Sequence, residues 1–174
     1  MQNDTPDATQ SMGKTMMILA WVVALGLLIF FFSQWEKKAY NPNQNPDSQQ
    51  SPTQNQVILK RNRFNHYVTQ GKINGEEVTF LLDTGATDVV IPEVIARRLG
   101  LTKGAEQRAS TANGIITVYN TRLDQLTIGH IVLRDVNASI NPAMSNDSIL
   151  LGMSALKKVE FTQRGDTLTL RQYR

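Results

Sequence analysis

Residues 79–92 read TFLLDTGATDVVIP. An apolar run ends on Asp83, Thr84, Gly85 and Ala86 follow at once, and a second apolar run resumes at Val89. Asp, Thr and Gly are all turn-formers, and an aspartate after a strand can hydrogen-bond neighbouring amides, so an ordinary turn is one reading. A catalytic carboxylate is the other, and it raises the question of a partner carboxylate.

The surrounding chain, from about Val57 to Arg174, is a series of short apolar or alternating runs broken by turn signals. HYVTQGKINGEEVTFLLD predicts a hairpin through Asn74-Gly75, a pair that accepts positive φ. QRASTANGIITVYNTRLDQL repeats the device at Asn113-Gly114, and LTIGHIVLRDVNASI suggests a turn at Gly129-His130. Helix signals are confined to PEVIARRLGL, with Pro92 at its start and Gly100 as its stop, and to GMSALKKV. The expected class is mainly β with two small helices, over a domain spanning 57–174.

Two further zones precede it. After a tail of residues 1–14, Thr15 to Trp35 carries no charged residue. That run is long enough to cross a hydrocarbon layer as a helix, and Trp35 falls where an interfacial aromatic belongs. A cleaved signal peptide is the competing reading, but bulky and then charged residues, FFFSQWEKK, follow where small ones belong. Residues 36–56 form an Asn/Gln/Pro/Ser/Thr-rich stretch with nothing to bury, which predicts a disordered linker.

Composition excludes several chemistries. The chain has no Cys, which removes disulfides, thiol catalysis and Cys-based zinc sites. Its formal net charge is +3, with basic residues scattered through the sequence, so no nucleic-acid partner is expected. The two histidines, His66 and His130, lack metal-ligand spacing, and no metal or cofactor is expected.

FLLDTGA and SILLGMS each precede a short helical phrase. Aligning Gly85 with Gly152 puts Leu150 where Asp83 stands and Leu151 where Thr84 stands. The likeness is either a chance match of short apolar runs or an internal duplication in which one copy carries the carboxylate.

LLDTGATDVVIP resembles the active-site loop of aspartic proteases, and ILLGMSAL resembles their hydrophobic-hydrophobic-Gly element. With TANG between them, the pattern is similar to bacterial membrane-anchored, retropepsin-like aspartic proteases, and it covers essentially all of 57–174. The resemblance implies a single-lobe acid-protease fold in which Asp83 is catalytic. It implies that Thr84 bonds a partner's loop, that Gly85 allows close approach, and that Ala86, Thr87 and Asp88 line the floor. Asp88 reads equally as a solvated acid or as an ion-pair partner of Arg97 or Arg98. Thr111, Ala112, Asn113, Gly114 and Ile115 correspond to the tip of a flap over bound peptide, and Leu150, Leu151 and Gly152 to the hydrophobic-hydrophobic-Gly element. The sequence departs from the retroviral pattern at Thr87, where an acid is usual, at the glycine-poor flap, and at Met153, which replaces an interface Arg.

Carboxylate proteolysis needs two carboxyl groups about 3 Å apart sharing one proton, a rule drawn from the aspartic proteases themselves. No second Asp-Thr/Ser-Gly occurs in the chain. A homodimer supplies the missing group, and two-fold symmetry is the commonest assembly. The expected function is therefore a membrane-tethered aspartic endopeptidase acting on a peptide or an unfolded protein segment. The alternative is a silent peptide-binding or scaffolding module of the same fold. The resemblance also implies a bacterial inner-membrane location with the domain in the periplasm.

Overall fold

The computed structural model describes residues 8–111 and 114–174. They fall into two units, residues up to 39 and Tyr40–Arg174. The first holds α1 (Ala8–Tyr40) up to Ala39. Its stretch Gly13–Tyr40 is long and apolar enough to cross a membrane, by length and composition. Its large apolar side chains, from Met16 to Phe32, are all more than half exposed.

The second unit runs β1 (Asp47–Gln50), β2 (Gln54–Lys60), β3 (Val68–Ile73), β4 (Glu76–Leu82), β5 (Val89–Pro92), α2 (Glu93–Arg98), β6 (Glu106–Thr111), β7 (Gly114–Ile128), β8 (Ile131–Asn141), β9 (Ser148–Leu151), α3 (Met153–Leu156), β10 (Glu160–Arg164) and β11 (Thr167–Tyr173). The turn residues explain the reversals. Asn74 and Gly75, at φ 50° and 92°, close the β3–β4 hairpin, and Gly129, at φ 53°, closes β7–β8. α2 ends as its sequence predicts. Gly100 N–H donates to Arg97 C=O and Leu101 N–H to Ala96 C=O, the paired bonds of a Schellman stop with Gly100 at φ 65°.

Among the described residues, one sheet has the order β3-β4-β9-β5-β8-β7-β6. A further β3–β7 pairing, Ile73 opposite Leu126, joins its ends into a barrel that leaves β6 outside on β7. A second sheet has the order β1-β2-β11-β10. Alternation directs its apolar residues inward: Val57 and Leu59 on β2 and Leu168 and Leu170 on β11 are buried. They join Phe80, Ile73, Ile91, Leu126, Ile140, Ile149 and Leu151 in one core.

The expectation for residues 36–56 is corrected here. β1 and the first part of β2 lie within them, paired from Asp47↔Ile58 to Gln50↔Asn55. Ser48 accepts a hydrogen bond from His130 N–H at 2.8 Å and bonds the ring Nδ1 at 2.7 Å. Asn41 and Asn43 are buried. Asn43 bridges both ends of the β2–β3 connection: its Nδ2 donates to Lys60 and Val68 C=O, and its Oδ1 accepts Lys60 N–H. Composition points to disorder because, Ala39, Tyr40 and the prolines apart, this stretch brings no apolar side chains. Its order comes instead from backbone pairing on the edge of a sheet that others fill, and from asparagine amides satisfying buried backbone groups.

Candidate active site

Asp83 follows β4 directly, and the strand pairing explains how it is held. β4 runs parallel to β9 with Phe80↔Ile149, Leu81↔Leu150 and Leu82↔Leu151 in register. The two similar phrases of the sequence are thus side by side in one sheet. The ladder continues one step further, since Asp83 N–H donates to Leu151 C=O at 3.2 Å. β5 then returns antiparallel to β9, with Val90 opposite Leu150. The loop 83–88 therefore leaves one neighbour of β9 and re-enters as the other, passing the end of β9 at Gly152.

That passage is tight. A Cβ on Gly152 would stand 2.0 Å from Asp88 O and 2.6 Å from Ala86 O, both backbone atoms. The close approach lets the first amides of α3 bind the loop. Met153 N–H donates to Ala86 C=O and Ser154 N–H to Thr87 C=O, each at 2.8 Å. Ser154 adds a side-chain bridge: its hydroxyl donates to Asn137 C=O at 2.7 Å and accepts Val89 N–H at 2.9 Å. Loop, α3 and β8 are thereby fastened together through a residue that is itself buried. A lone Ser in a helical phrase carries no signal of this role in the sequence.

Within the loop, Asp83 Oδ1 accepts Gly85 N–H at 2.9 Å and Asp83 C=O accepts Ala86 N–H at 3.2 Å. This is an Asx-type turn, and it fixes the carboxylate against its own backbone. The turn reading of D-T-G is what the structure shows, and the same turn sets the direction of the Asp83 carboxyl group. Thr84, Gly85 and Thr87 are exposed, and Asp83, Ala86 and Asp88 are half-buried. Among the described residues a Cβ on Gly85 would meet Asp83 Oδ1 alone, at 3.2 Å, so at this loop the close backbone approach falls at Gly152. Arg98, one of the two arginines proposed for Asp88, donates to Glu77 C=O at 3.3 Å. What Asp88 gives the site is its backbone, packed on Gly152.

Leu150, Leu151 and Gly152 thus stand beside the Asp83 loop. Thr111, Gly114 and Ile115 lie apart from it in sequence on the β6–β7 hairpin, where Thr111 Oγ1 donates to Gly114 C=O at 2.8 Å. Gly114 takes φ 111°, and Ile115 is 64% exposed. Ala112 and Asn113, also expected at this tip, lie outside the described residues.

Residues 69–158 match the family model described as "gag-polyprotein putative aspartyl protease". That match runs from β3 to just beyond α3 and so contains the β4–loop–β5 and β9–α3 elements. An uncharacterized protein in the cobV 5′ region of Sinorhizobium sp. is 31% identical over 125 residues, 70% of this chain and 54% of that protein. The chain spans about half the length of this curated relative. A crystal structure of a retropepsin-like aspartic protease from Rickettsia conorii superposes with a TM-score of 0.60 at 23% identity, covering 72% of this chain and 98% of that one. The EIAV protease complexed with the inhibitor HBY-793 gives a TM-score of 0.47 at 19% identity, over 57% of this chain and 92% of that one. With more than half of its length matched by the family model, the chain belongs to this aspartyl protease family, and its fold is retropepsin-like.

Proposed function

We propose that the protein is an aspartic endopeptidase whose Asp83 forms a dyad with Asp83 of the partner subunit in a homodimer. The observation that carries this reading is the placement of Asp83. It is held by its own turn and by Leu151 at the end of a core strand, with Thr84 and Gly85 exposed beside it. A surface that presents one carboxylate, a hydroxyl and a glycine suits two-fold self-association. The open side of Gly85, which among the described residues only Asp83 crowds, leaves room for a facing loop.

In the dimer, a water lies between the two carboxyl groups. The ionised one takes a proton from this water as its oxygen bonds to the peptide carbonyl carbon, while the protonated one gives its proton to the carbonyl oxygen. The resulting tetrahedral diol collapses as the leaving nitrogen takes the proton held by the first carboxyl group and a diol hydroxyl returns one to the other carboxylate, releasing an amine and a carboxylic acid and restoring the singly protonated dyad. No cofactor enters these steps. Because the dyad works singly protonated, the rate is bell-shaped in pH, and its two apparent pKa values belong to the pair. Thr111 to Ile115 act as the flap, with exposed Ile115 available to an extended peptide.

On this reading residues 15–35 are a membrane anchor and the protease domain begins at Tyr40. The apolar, uncovered α1 supports the anchor. We infer from the family resemblance that the domain faces a bacterial periplasm. Lys37 and Lys38 against the single Lys14 count the other way under the positive-inside rule, so reporter fusions after residue 56 decide the orientation.

The test is cleavage of a peptide library by the purified chain and by its Asp83→Asn variant. The parent cuts and is blocked by a statine-type transition-state mimic; the variant stays folded and does not cut. Parental cleavage by the variant would refute the assignment, and an intact parent that binds peptides without cutting them would show the silent binding module instead.

A further inference from the structure

The connection between β2 and β3 carries a feature that proteolysis does not use. Its sequence, with the flanking Lys60, is KRNRFNH (60–66), three strong cations and a histidine around one phenylalanine. Phe64 is 49% exposed, although a large apolar side chain at a loop tip gains nothing from water. The Arg63 guanidinium lies 4.7 Å from the centre of the Phe64 ring. Lys60, Arg63 and His66 are exposed, and Arg61 pairs with Asp166.

This loop is built, and it is built onto Tyr40, the first residue of the second unit. Asn62 is buried and organises it: its Oδ1 accepts Phe64 N–H at 2.9 Å and His66 N–H at 3.0 Å. Its own N–H donates to His66 C=O at 2.8 Å, and Asn65 takes φ 65° at the tip. The Asn62 Nδ2 donates to Tyr40 C=O at 2.8 Å. Tyr40 is the last residue of α1, so that carbonyl has no partner within the helix, and Asn62 supplies one. Asn43, three residues on, ties both stems of the loop, Lys60 and Val68, to the same strap.

We propose that the loop Lys60–His66 docks onto an anionic lipid surface, with Phe64 entering the interface and Lys60 and Arg63 facing lipid phosphates. The inference rests on reading α1 as the membrane anchor. Trp35, the interfacial aromatic, precedes Tyr40 by five residues. Those residues span about 7.5 Å as helix and at most about 17 Å fully extended. The headgroup layer is itself about 5–7 Å deep. A loop hydrogen-bonded to Tyr40 is therefore within reach of the bilayer surface by covalent geometry alone. Lipid phosphates meet the cations, and the interface accepts an aromatic ring beside them. Docking holds the domain at the surface and confines its substrates to segments near the membrane.

The test uses the full chain reconstituted into phosphatidylcholine vesicles with and without phosphatidylglycerol, read by tryptophan quenching with labelled lipids. Trp35→Phe leaves Trp21 as the anchor reporter. Trp21→Phe with Trp35→Phe and Phe64→Trp reports the loop. Trp21 is quenched by a label at the bilayer centre in both compositions. The indole introduced by Phe64→Trp is quenched by an interfacial label several-fold more strongly with phosphatidylglycerol. Each basic residue is worth about fivefold in surface partitioning, so Lys60→Gln with Arg63→Gln lowers the docked-to-free ratio about 25-fold and restores the neutral-lipid signal. Equal loop quenching in both compositions, with Trp21 still quenched, overturns the docking inference alone and leaves the basic loop to a soluble polyanion. Loss of Trp21 quenching overturns the anchor and the inference with it.

Discussion

Gly152→Ala separates two physical arguments that point in opposite directions. Gly152 has φ −88° and ψ −174°, extended backbone that any residue adopts. By chain entropy alone, replacing it with Ala stabilises the fold by about 0.4–1 kcal/mol. The surroundings say otherwise. The new Cβ would lie 2.0 Å from Asp88 O, where ordinary contact begins at 3.4 Å, so the loop must retreat by 1.4 Å. The obstacle is backbone on both sides, and it cannot be cleared by a rotamer change. Such a retreat strains the Met153–Ala86 and Ser154–Thr87 hydrogen bonds, each 2.8 Å long. Overpacking costs about 1–3 kcal/mol, and two weakened bonds cost about 1–3 kcal/mol more. Less the entropic gain, the expected loss is about 1–5 kcal/mol, a large share of a typical domain's stability. At about 4 °C per kcal/mol, thermal unfolding shifts down by about 4–20 °C. Differential scanning calorimetry on parent and variant reads this directly. A melting temperature equal to or above the parent's would show that the loop yields freely and that Gly152 does not position it.

The other expectations are more local. Ser154→Ala leaves Val89 N–H and Asn137 C=O without their bridge, so urea denaturation should show a loss of about 2–4 kcal/mol, and a neutral result would remove the Ser154 bridge from the account. Asn43→Ala removes three hydrogen bonds to Lys60 and Val68 and should cost a similar amount, with faster amide exchange in residues 40–60; a silent substitution would restore the disordered linker. Hydrogen bonds from Tyr173 and then Arg171 hold the Glu160 carboxyl below its usual range, and Lys103 does the same for Glu93. A depressed carboxylate stabilises the fold above its unfolded pKa, and that contribution is lost as pH falls through the folded value. Stability should therefore decline below about pH 4 to 5, and Glu160→Gln should flatten part of the decline; an unchanged pH profile would refute the linkage.

The local devices were legible because each rests on a residue with few alternatives. Asn74-Gly75 and Gly129 permit turns that most residues resist, and Pro92 and Gly100 bracket α2, so the hairpins and the short helix follow from backbone sterics. FLLDTGA and SILLGMS, whose likeness read either as chance or as an internal duplication, lie side by side in the parallel β4–β9 pairing, with Leu82 opposite Leu151. What stayed hidden depends on partners. Ser154 looks like any helical serine until Val89 and Asn137 are brought to it. Gly85 stands in the recognisable motif, yet the crowding within the chain is at Gly152, because the crossing of the loop over β9 exists only in three dimensions. Residues 41–50 hold no apolar anchor, and their order is borrowed from β2 and from buried asparagines.

The central claim is that one chain carries half of the catalytic machinery, and subunit mixing tests it most directly. The detergent-solubilised parent is mixed with increasing excess of the Asp83→Asn variant, subunit exchange is demonstrated by differential labelling, and peptidase activity is recorded. If each subunit contributes one Asp83, mixed dimers are inactive and activity falls with the statistics of random pairing, towards zero at high excess. Undiminished activity after complete exchange, or activity strictly proportional to protein down to a proven monomer, would contradict the shared dyad.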